Sequence, residues 1–392
     1  MISCRTRTEW CGLKTRMDHV GLITSSYPDG KPGQEAAGSF VADFAHELSL
    51  HLRVTVVAAS SVDSLTSDGA LTVRRFAVPR TPLSLLKPLR PSDWIPIIQT
   101  LHAGRRALAS LAKLDRPDHI LGLWALPGGY WAEAVARQYN LPFSIWALGS
   151  DIWGLRDVPF VRTKLKTVLG RANIRYADGI QLARDVEEIC DLECRFLPST
   201  RQLPQPAESG LSSKPPYKLA FLGRWHVNKG IDLLLDALFL LTDQDWEKIA
   251  EVRINGGGPL DGQVRNAVRK MQTLRRPVTL GGYLDKREAS DLFGWADYLL
   301  LPSRIESIPV VFSDAVQLRT PIVSTPVGDL PRLYEKSPFG IIASELSVPA
   351  YAEAIRSALN SVASKYVDDL NLASQEFDLK KIVARFLDEI ST

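Results

Sequence analysis

Two carboxylates and two cations are the residues of this sequence whose types and spacing could bind a polar, charged ligand. Glu306 and Asp314 have seven residues between them, and Arg224 and Lys229 lie five positions apart. Carboxylates accept hydrogen bonds from hydroxyls, whereas Arg offers phosphate a fork of donors and Lys a point charge. Such a set suits a ligand that has both hydroxyls and a diphosphate. Taken alone, each pair is also explained by side chains that are merely solvated on a loop or a helix face.

A buried strand followed by a helix is predicted to carry the two carboxylates. Residues 297–301 form an apolar run typical of a strand, and apolar residues within 311–318 recur at helical spacing. Pro309 suits the first helical position, and Ser307 is a candidate cap ahead of it. The first carboxylate then lies in the loop between strand and helix, and the second lies one to two turns into the helix. Open α/β sheets bind ligands in such loops, and a helix N-terminus there favours an anion.

Length and composition predict two domains. The chain has 392 residues, of which 45% are hydrophobic, which is too long for one core and suits two domains of about 190 residues. The net charge of +3 does not indicate a general nucleic-acid surface, so no nucleic-acid partner is expected. No run of the sequence approaches the ~18 apolar residues of a membrane-spanning helix.

The cysteine content and the N-terminal residues indicate in which cellular compartment the protein is expected. The four cysteines have no paired CxxC spacing, so neither a zinc site nor a disulfide framework is expected. This usage predicts a reducing, cytoplasmic compartment. Residues 1–17 are basic but lack the apolar segment of a secretory signal, and they are predicted to be a disordered extension, with Met17 as an alternative start.

Strand-like and helix-like pieces alternate along the chain, which predicts an α/β protein with parallel sheets covered on both faces. The strands predicted in the first half are 20–24, 54–59, 120–124, 143–148 and 178–182. Those predicted in the second half are 218–222, 251–254, 278–280, 298–301, 321–324 and 340–342.

The composition also predicts where the domains end. Residues 201–216 are rich in Ser, Pro and Gly and read as a linker. We therefore predict an N-terminal domain over 18–200 and a C-terminal domain over 217–376. The closing segment, 377–392, includes a helix predicted over 379–390 from its apolar spacing.

The stretch 74–113 is strongly basic and also rich in apolar residues. It has eight cations against one acid, Asp93, with Trp94 and several Leu and Ile residues interleaved. A basic stretch with exposed Trp and Leu suits an anionic membrane surface. An ordinary helix with a solvated basic face and a groove for an anionic acceptor are the two other interpretations.

Glycines follow two of the predicted strands in the second half. Gly223 precedes Arg224 at one strand end, and Gly256, Gly257 and Gly258 follow the next strand. A loose dinucleotide fingerprint is one interpretation, but the spacing is off and no acid ends the following strand. Backbone that lets a nucleotide approach closely is a second interpretation, and a plain strand-to-helix turn is a third.

Several motifs of both halves occur in one order. In the second half they are Gly223-Arg224 with Lys229-Gly230, Gly256 to Pro259, Pro302-Ser303 with Glu306 and Asp314, and Pro321 to Ser324 with Val327-Gly328. In the first half they are Thr24 to Pro28 with Gly38 to Val41, and Gly149 to Ile152. From about Val20 to the C-terminus, this order resembles the retaining family-4 glycosyltransferases, which have the GT-B fold.

The resemblance implies two Rossmann-like domains that face a cleft, with the last helix crossing back to the first domain. Arg224 and Lys229 would hold the diphosphate of a nucleotide sugar and stabilise the leaving group. Glu306 would contact hydroxyls of the transferred sugar, and Asp314 would bind the ribose. Because cations and a helix dipole neutralise the phosphates, neither a metal nor a cofactor is implied.

The resemblance also implies contacts from the backbone and from the acceptor side. Gly38 would let the N-terminal loop approach the donor phosphates. Ser150 and Asp151 would be polar groups on the acceptor side. The remaining donor-site positions would act through their backbone, namely Gly223, Gly257, Gly258, Ile308, Val310 and Val311.

The sequence departs from the family pattern at several positions. The second acid is Asp314 rather than Glu, and residues 307–309 replace a glycine-rich loop. Arg319 and Arg332 stand where the family often has Gly and Glu. Leu148 stands where the family has a His, so any role of that His at the reacting sugar is absent or met elsewhere.

The resulting hypothesis is a retaining glycosyltransferase of surface polysaccharide or glycoconjugate biosynthesis. It would move a sugar from a nucleotide sugar to a saccharide or lipid-linked acceptor at the inner face of the plasma membrane. A non-catalytic, membrane-docked assembly subunit is one alternative, favoured by Leu148, Arg319 and Arg332, although a scaffold would not need the retained cations and acids. A nucleotide-sugar epimerase is another, although it would need more acids and His in the cleft.

Overall fold

The structure is a computed structural model that describes residues 17–28, 38–81, 83, 86–208 and 210–391. It contains two α/β units, each built on a largely parallel sheet. The sequence prediction of two Rossmann-like parallel-sheet domains is therefore confirmed. Of the predicted basic extension, residues 1–16 lie outside the described part of the chain.

The first domain is an eight-stranded sheet with helices on both faces. Its strand order is β3-β4-β2-β1-β5-β6-β7-β8, and only the pairing of β3 with β4 is antiparallel among the described strands. The strands are β1 (His19–Thr24), β2 (Arg53–Ser60), β3 (Ser64–Asp68), β4 (Leu71–Ala77), β5 (His119–Leu123), β6 (Phe143–Ala147), β7 (Ile174–Ala177) and β8 (Arg195–Phe196). The helices are α1 (Ser39–Ser49), α2 (Trp94–Leu114), α3 (Tyr130–Tyr139), α4 (Ser150–Trp153), α5 (Pro159–Arg171) and α6 (Ile180–Cys190).

The second domain is a six-stranded parallel sheet in the order β11-β10-β9-β12-β13-β14. The strands are β9 (Tyr217–Arg224), β10 (Ile249–Gly257), β11 (Val278–Gly281), β12 (Tyr298–Leu301), β13 (Ile322–Ser324) and β14 (Gly340–Ile342). The helices are α7 (Ile231–Phe239), α8 (Asp243–Trp246), α9 (Asp261–Thr273), α10 (Lys286–Trp295), α11 (Val310–Gln317), α12 (Leu330–Lys336), α13 (Val348–Leu359), α14 (Val367–Ser374) and α15 (Leu379–Ile390).

Short apolar strands form the centre of both sheets. Every residue of β5, β6 and β12 is buried, as expected for strands covered on both faces. Such runs alternate with amphipathic helices, and this alternation is why the sequence pattern identified the fold class.

The last helix, α15, packs on the first domain although it follows the second in sequence. Leu379, Ile382, Val383 and Phe386 are buried in one cluster with residues of β1, β2 and α1. The rings of Phe386 and Phe44 lie 5.3 Å apart in an edge-to-face arrangement. The two domains are thereby joined by the end of the chain as well as by residues 197–216.

One strand prediction was wrong. Residues 178–182 were expected to form a strand, whereas β7 is Ile174–Ala177 and α6 already begins at Ile180. The apolar residues Ile180 and Leu182 belong to α6, and a short apolar run does not by itself distinguish strand from helix. The correction places Asp178 in a strand-to-helix loop.

The start of α11 also differs from the prediction. Pro309 has an extended backbone conformation (ψ 135°) and is the residue before the helix, which begins at Val310. Ser307 does not cap α11, because its hydroxyl donates to Asp178 at 2.7 Å. The predicted order of strand, loop and helix around Glu306 nevertheless holds.

Candidate functional site

The order of strands places Arg224, Lys229 and Glu306 at the same point. The strand β9 has β10 on one side and β12 on the other, so the chain reverses direction across the sheet between β9 and β12. Ligands of open α/β sheets bind outside the carboxyl ends of strands at such a reversal. Arg224 is the exposed last residue of β9, and Lys229 ends the turn that follows it. The side chain of Lys229 forms an ion pair with Glu306 in the loop after β12.

Arg304 connects these two loops through hydrogen bonds. Arg304 donates to both carboxylate oxygens of Asp232 at 2.7 and 2.9 Å and to the carbonyl of Val227 at 2.8 Å. Its backbone N–H donates to the carbonyl of Asn228 at 2.8 Å. The bidentate contact with Asp232 and the bonds to the backbone hold the loop that carries Lys229 against the loop that carries Glu306.

The two loops approach each other most closely at Gly230. This glycine has a left-handed backbone conformation (φ 69°), and a Cβ atom there would lie 1.8 Å from the carbonyl oxygen of Pro302. No side chain fits at that distance, and left-handed φ values disfavour residues other than glycine. Gly230 is therefore required for the contact between Lys229 and Glu306.

The predicted donor glycines lie beside Arg224 at the ends of β9 and β10. Gly223 is paired with Gly256, and Gly257 is paired with Arg224. The carbonyl of Gly257 accepts from the hydroxyl of Tyr283, in the loop after β11, at 2.8 Å. A Cβ atom on Gly258 would lie 3.2 Å from Cγ of Arg224. The loops after three neighbouring strands thus meet at one edge of the sheet.

Ile308, Val310 and Val311, which were predicted to bind the donor through their backbone, lie at or just before the start of α11. Val310 and Val311 are the first two residues of the helix, where backbone N–H groups precede the first intrahelical bonds. The side chain of Ile308 is buried in the core of the second domain. These positions are compatible with the predicted backbone contacts, which stay predictions.

Asp314 is held by an arginine. Its side chain is fully buried, and both carboxylate oxygens accept from Nε of Arg201 at 3.0 and 2.9 Å. Burial raises the pKa of Asp314, and the Arg201 guanidinium partly opposes that rise. A contact between Asp314 and a ribose hydroxyl, as predicted, requires Arg201 to share or release this carboxylate.

In the first domain, Gly38 immediately precedes α1 and has a left-handed backbone conformation (φ 74°). A Cβ atom at Gly38 would lie 2.6 Å from the carbonyl oxygen of Ser26, in the loop after β1. One turn into α1, Asp43 forms an ion pair with Lys286 of the second domain and accepts from the N–H of Gln202 at 2.9 Å. The start of α1 therefore lies against the second domain.

The two residues predicted on the acceptor side differ in exposure. Ser150 is the exposed first residue of α4, whereas Asp151 is buried. The carboxylate of Asp151 accepts from the backbone N–H groups of Ala125 and Leu148. Burial raises the pKa of Asp151 to about 6, and these backbone donors oppose the rise. Asp151 thus shapes the loops after β5 and β6.

Asp178 and Asp329, which sequence reasoning did not assign to the site, lie with Ser307 where the two domains touch. Asp178, after β7, accepts from the hydroxyl of Ser307 across the domain boundary, at 2.7 Å. Asp329 accepts from the backbone N–H of Gln181 at 3.0 and 3.1 Å, also across the boundary. All three side chains are buried. Correct bounds for β7 and α6 would have placed Asp178 among the residues of the cleft.

Asp178 gives the cleft a predicted dependence on pH. Burial raises its pKa to about 7, the negative charges of Asp151 and Glu306 add to the rise, and the hydroxyls of Ser307 and Ser199 oppose it. Because this pKa lies above the ordinary value of 3.8, the Asp178 contribution to stability is lost as pH rises from about 4 to about 7. The side chain of the Asp178→Asn variant cannot ionise. The free energy of unfolding of this variant, relative to that of wild type, should therefore be about 2–3 kcal/mol higher at pH 8 than at pH 5.

Urea unfolding at both pH values measures this difference. Asp236→Asn, which changes an exposed carboxylate on α7, is the matched control and should show no such gain. A constant difference between Asp178→Asn and wild type at pH 5 and pH 8 would contradict the prediction.

Neither a cluster of metal ligands nor a membrane-spanning helix occurs in the described part of the chain. Among the residues that the structure describes, no group of three or more His, Cys, Asp or Glu side chains is arranged to hold a metal ion. No helix within the same ranges is long and apolar enough to cross a membrane.

Comparison with protein families identifies the second domain. Residues 216–361 match the family model described as glycosyl transferases group 1. The match begins at β9 and ends after α13, so it includes Arg224, Lys229, Glu306 and Asp314. The second domain is a group 1 glycosyltransferase domain. The resemblance to glycosyltransferases that the motif order indicated is thereby confirmed for this part of the chain, at the level of group 1.

Curated relatives of this group 1 domain are also glycosyltransferases by name. The chain is 27% identical over 250 residues to TuaC of Bacillus subtilis, which is named for teichuronic acid biosynthesis; the match covers 61% of this chain and 60% of TuaC. It is 29% identical over 145 residues to D-inositol 3-phosphate glycosyltransferase of Corynebacterium glutamicum, covering 36% and 35% of the two chains. The chain thus matches less than two thirds of the length of these relatives.

Solved structures extend the comparison to both domains. Sucrose-phosphate synthase of Thermosynechococcus elongatus superposes with a TM-score of 0.72 at 17% identity, covering 95% of this chain and 98% of that one. HepE of Anabaena, solved with UDP and glucose, superposes with a TM-score of 0.68 at 16% identity, covering 96% and 100%. The part of the chain that the structure describes therefore has the GT-B fold, with both domains included.

Proposed function

We propose that the protein is a glycosyltransferase that uses a nucleotide sugar and transfers the sugar with retention of configuration. The observation that carries the proposal is the meeting of Arg224, Lys229 and Glu306 at the strand reversal of a group 1 domain. The glycosyltransferase names of the relatives support the reaction class. The UDP and glucose named with HepE support a nucleoside diphosphate sugar as donor.

The cations and the carboxylate have separate roles in this proposal. Arg224 and Lys229 bind the diphosphate and stabilise its charge as the bond to the sugar breaks. The N-terminus of α11 adds backbone donors to the same anion. Glu306 accepts from hydroxyls of the transferred sugar. Because these groups neutralise the leaving group, the proposal needs no metal and no cofactor.

The ion pair between Lys229 and Glu306 bears on how a donor would bind. Each partner is partly buried, with side-chain exposures of 38% for Lys229 and 16% for Glu306, and a partly buried charge needs a counter-charge or a hydrogen-bond partner. A bound donor supplies both replacements, because its phosphate attracts Lys229 and its hydroxyls donate to Glu306. Donor binding therefore exchanges one ion pair for two ligand contacts.

The acceptor is proposed to bind in the first domain and to be a saccharide or a lipid-linked saccharide. The acceptor hydroxyl attacks the anomeric carbon on the face from which the diphosphate leaves, without a covalent intermediate. The new glycosidic bond replaces the bond to the phosphate oxygen, and the hydroxyl proton passes to the departing diphosphate. Surface polysaccharide or glycoconjugate assembly is the proposed setting, in line with the name of TuaC.

A surface on the first domain suits an anionic membrane. Exposed apolar side chains cluster where α2 begins, with 73% exposure for Leu89, 55% for Trp94, 70% for Ile95 and 65% for Ile98. Exposed Lys87 and Arg90 lie next to them in the chain, and Arg105 is exposed further along α2. Asp93 does not offset this charge at the surface, because it is buried and pairs with Arg80. Apolar side chains among cations favour the interface of anionic lipids.

We predict that this surface binds vesicles of mixed anionic and neutral phospholipid better than purely neutral vesicles. Replacing Trp94 and Ile95 by Ser removes two exposed apolar side chains worth about 1.5–3 kcal/mol each when fully buried, so binding should fall at least about tenfold. Vesicle co-sedimentation measures it. Leu372→Ser, which changes an equally exposed leucine of the second domain, should bind as wild type does. Equal binding of the double variant and wild type would contradict the membrane contact.

The reaction itself is tested with a panel of nucleotide sugars (UDP-glucose, GDP-mannose, ADP-glucose and dTDP-glucose). The expected result is release of one nucleoside diphosphate above the uncatalysed rate, increased by addition of an acceptor. Proton NMR of the product should show the anomeric configuration of the donor. An inverted product would contradict retention, and conversion of the nucleotide sugar to its epimer without release would identify an epimerase.

A further inference from the structure

Asp178 lies where the first domain touches the loop that carries Glu306. One carboxylate oxygen accepts from Ser307, the residue after Glu306, at 2.7 Å, and the other accepts from Ser199 at 3.2 Å. Ser307 belongs to the second domain, and Ser199 lies in the segment that connects the domains. The buried carboxylate therefore joins three separate parts of the chain beside the proposed donor site.

The packing around this contact is tight. A Cβ atom on Gly179 would lie 2.2 Å from Oγ of Ser307 and 2.7 Å from Oδ2 of Asp329. The backbone N–H of Asp329 donates to the carbonyl of Ser307 at 3.2 Å. Ser307 is thus held at its hydroxyl by the first domain and at its carbonyl by the second. The peptide that follows Glu306 has little freedom to move while these contacts persist.

The contact links the position of Glu306 to the position of the first domain. In the proposed reaction, Glu306 binds the transferred sugar and the first domain binds the acceptor. Transfer requires the reacting atoms to be about 3–3.5 Å apart, and an error of about 1 Å can cost about 100-fold in rate. A hydrogen bond between the two halves at this point therefore bears directly on the geometry of transfer.

We infer that Asp178 is a positioning residue of the transfer reaction, acting through Ser307 on the loop that carries Glu306. This inference rests on the proposed function. Asp178 itself does not contact the sugar in the proposed reaction. Its side chain fixes the distance between the loop of Glu306 and the first domain.

Substitutions at both ends of the hydrogen bond test the inference. Asp178→Ala and Ser307→Ala should each lower kcat about 10- to 100-fold, with KM for the nucleotide sugar within about threefold of wild type, because the diphosphate contacts are untouched. The double variant should be no slower than the slower single variant, because both changes remove one interaction. Asp178→Asn should retain most of the activity, because its amide oxygen still accepts from Ser307.

Ser199→Ala is the matched control. It removes the other hydrogen bond of the same carboxylate without touching the loop of Glu306, so kcat should stay within about threefold of wild type. Release of nucleoside diphosphate from the donor identified in the panel gives kcat and KM. Multiplicative losses in the double variant, an equal loss in Ser199→Ala, or unchanged kcat in Asp178→Ala would overturn the inference.

Turnover by the wild-type protein distinguishes failure of the role of Asp178 from failure of the proposed function. If wild type turns over a nucleotide sugar and the variants at Asp178 and Ser307 do so equally well, only the role of Asp178 fails. If wild type neither binds nor turns over any member of the panel, the proposed function fails, and the role of Asp178 fails with it.

Discussion

Arg224→Ala is expected to lower the rate of sugar transfer by about 100- to 1,000-fold while leaving the fold intact. The magnitude follows from the loss of one preorganised donor to a developing negative charge, which typically costs that much. Arg224 is exposed at the end of β9, so its removal leaves no unpaired buried charge. Release of nucleoside diphosphate gives the rate, and circular dichroism with thermal unfolding reports on the fold.

A surface arginine of the same domain controls for the loss of charge. Arg269 lies exposed in α9, and Arg269→Ala should transfer at the wild-type rate. Equal rates for Arg224→Ala and wild type would remove Arg224 from the catalytic machinery. If glycan output in cells were also unchanged, the non-catalytic assembly subunit would become the better explanation.

Gly230→Ala is expected to abolish measurable transfer and to destabilise the second domain by about 3 kcal/mol or more. The added methyl group overlaps the carbonyl of Pro302, and the left-handed backbone adds strain. The loops of Lys229 and Glu306 must then separate, which breaks their ion pair. Urea unfolding measures the stability, and nucleoside diphosphate release measures the activity.

Gly262→Ala is the control for the glycine substitution. Gly262 lies in α9 with no atom within 4 Å of a Cβ placed on it. Alanine is the better helix former by up to about 1 kcal/mol, so this variant should be as stable as wild type or more so, with unchanged transfer. Wild-type activity in Gly230→Ala would show that the close approach of the two loops is not needed for the reaction.

The fold class could be predicted from the sequence because its signals are local. The strands of both sheets are short apolar runs between amphipathic helices, and this alternation alone indicates parallel sheets. The failure at 178–182 has the same origin. Ile180 and Leu182 satisfy a strand pattern over five residues, and only the longer helical spacing up to Cys190 reveals α6.

The loops of the proposed donor site were also predictable, because each follows a recognisable strand. Arg224, Lys229 and Glu306 could be placed at strand ends from the sequence, and the strand order then brings them together. The partners of Asp314 and Ser307 could not be predicted in this way. Arg201 and Asp178 lie 113 and 129 positions away in sequence, and their contacts depend on how the two domains meet.

One departure from the family pattern has a conformational explanation. Arg319, where the family often has Gly, follows α11 with a left-handed backbone (φ 61°). Glycine is favoured at such a position after a helix for its backbone freedom, not for any chemistry. The presence of Arg319 therefore does not argue against catalysis. The glycine of the family would favour the stability of this turn and would not take part in the reaction.

Leu148 is the departure with chemical consequences. Its backbone N–H donates to Asp151 at 3.1 Å, so the loop keeps a defined shape although the imidazole of the family is absent. In the proposed reaction, the carboxyl of Asp178 supplies a contact between the domains, and Glu306 supplies the polar contact to the sugar. The lack of a histidine at the sugar is therefore expected to affect sugar selectivity more than binding of the diphosphate.

The proposed function requires above all that the loops after β9 and β12 bind a nucleoside diphosphate, and ligand-induced thermal stabilisation tests this binding most directly. UDP, GDP, ADP and dTDP are each added to wild type and to Lys229→Ala. At about 100 times its dissociation constant, the correct nucleotide should stabilise wild type by about 2.7 kcal/mol, and Lys229→Ala should lose that effect. Stabilisation of wild type by none of the four, or equal stabilisation of Lys229→Ala, would contradict the proposed donor site.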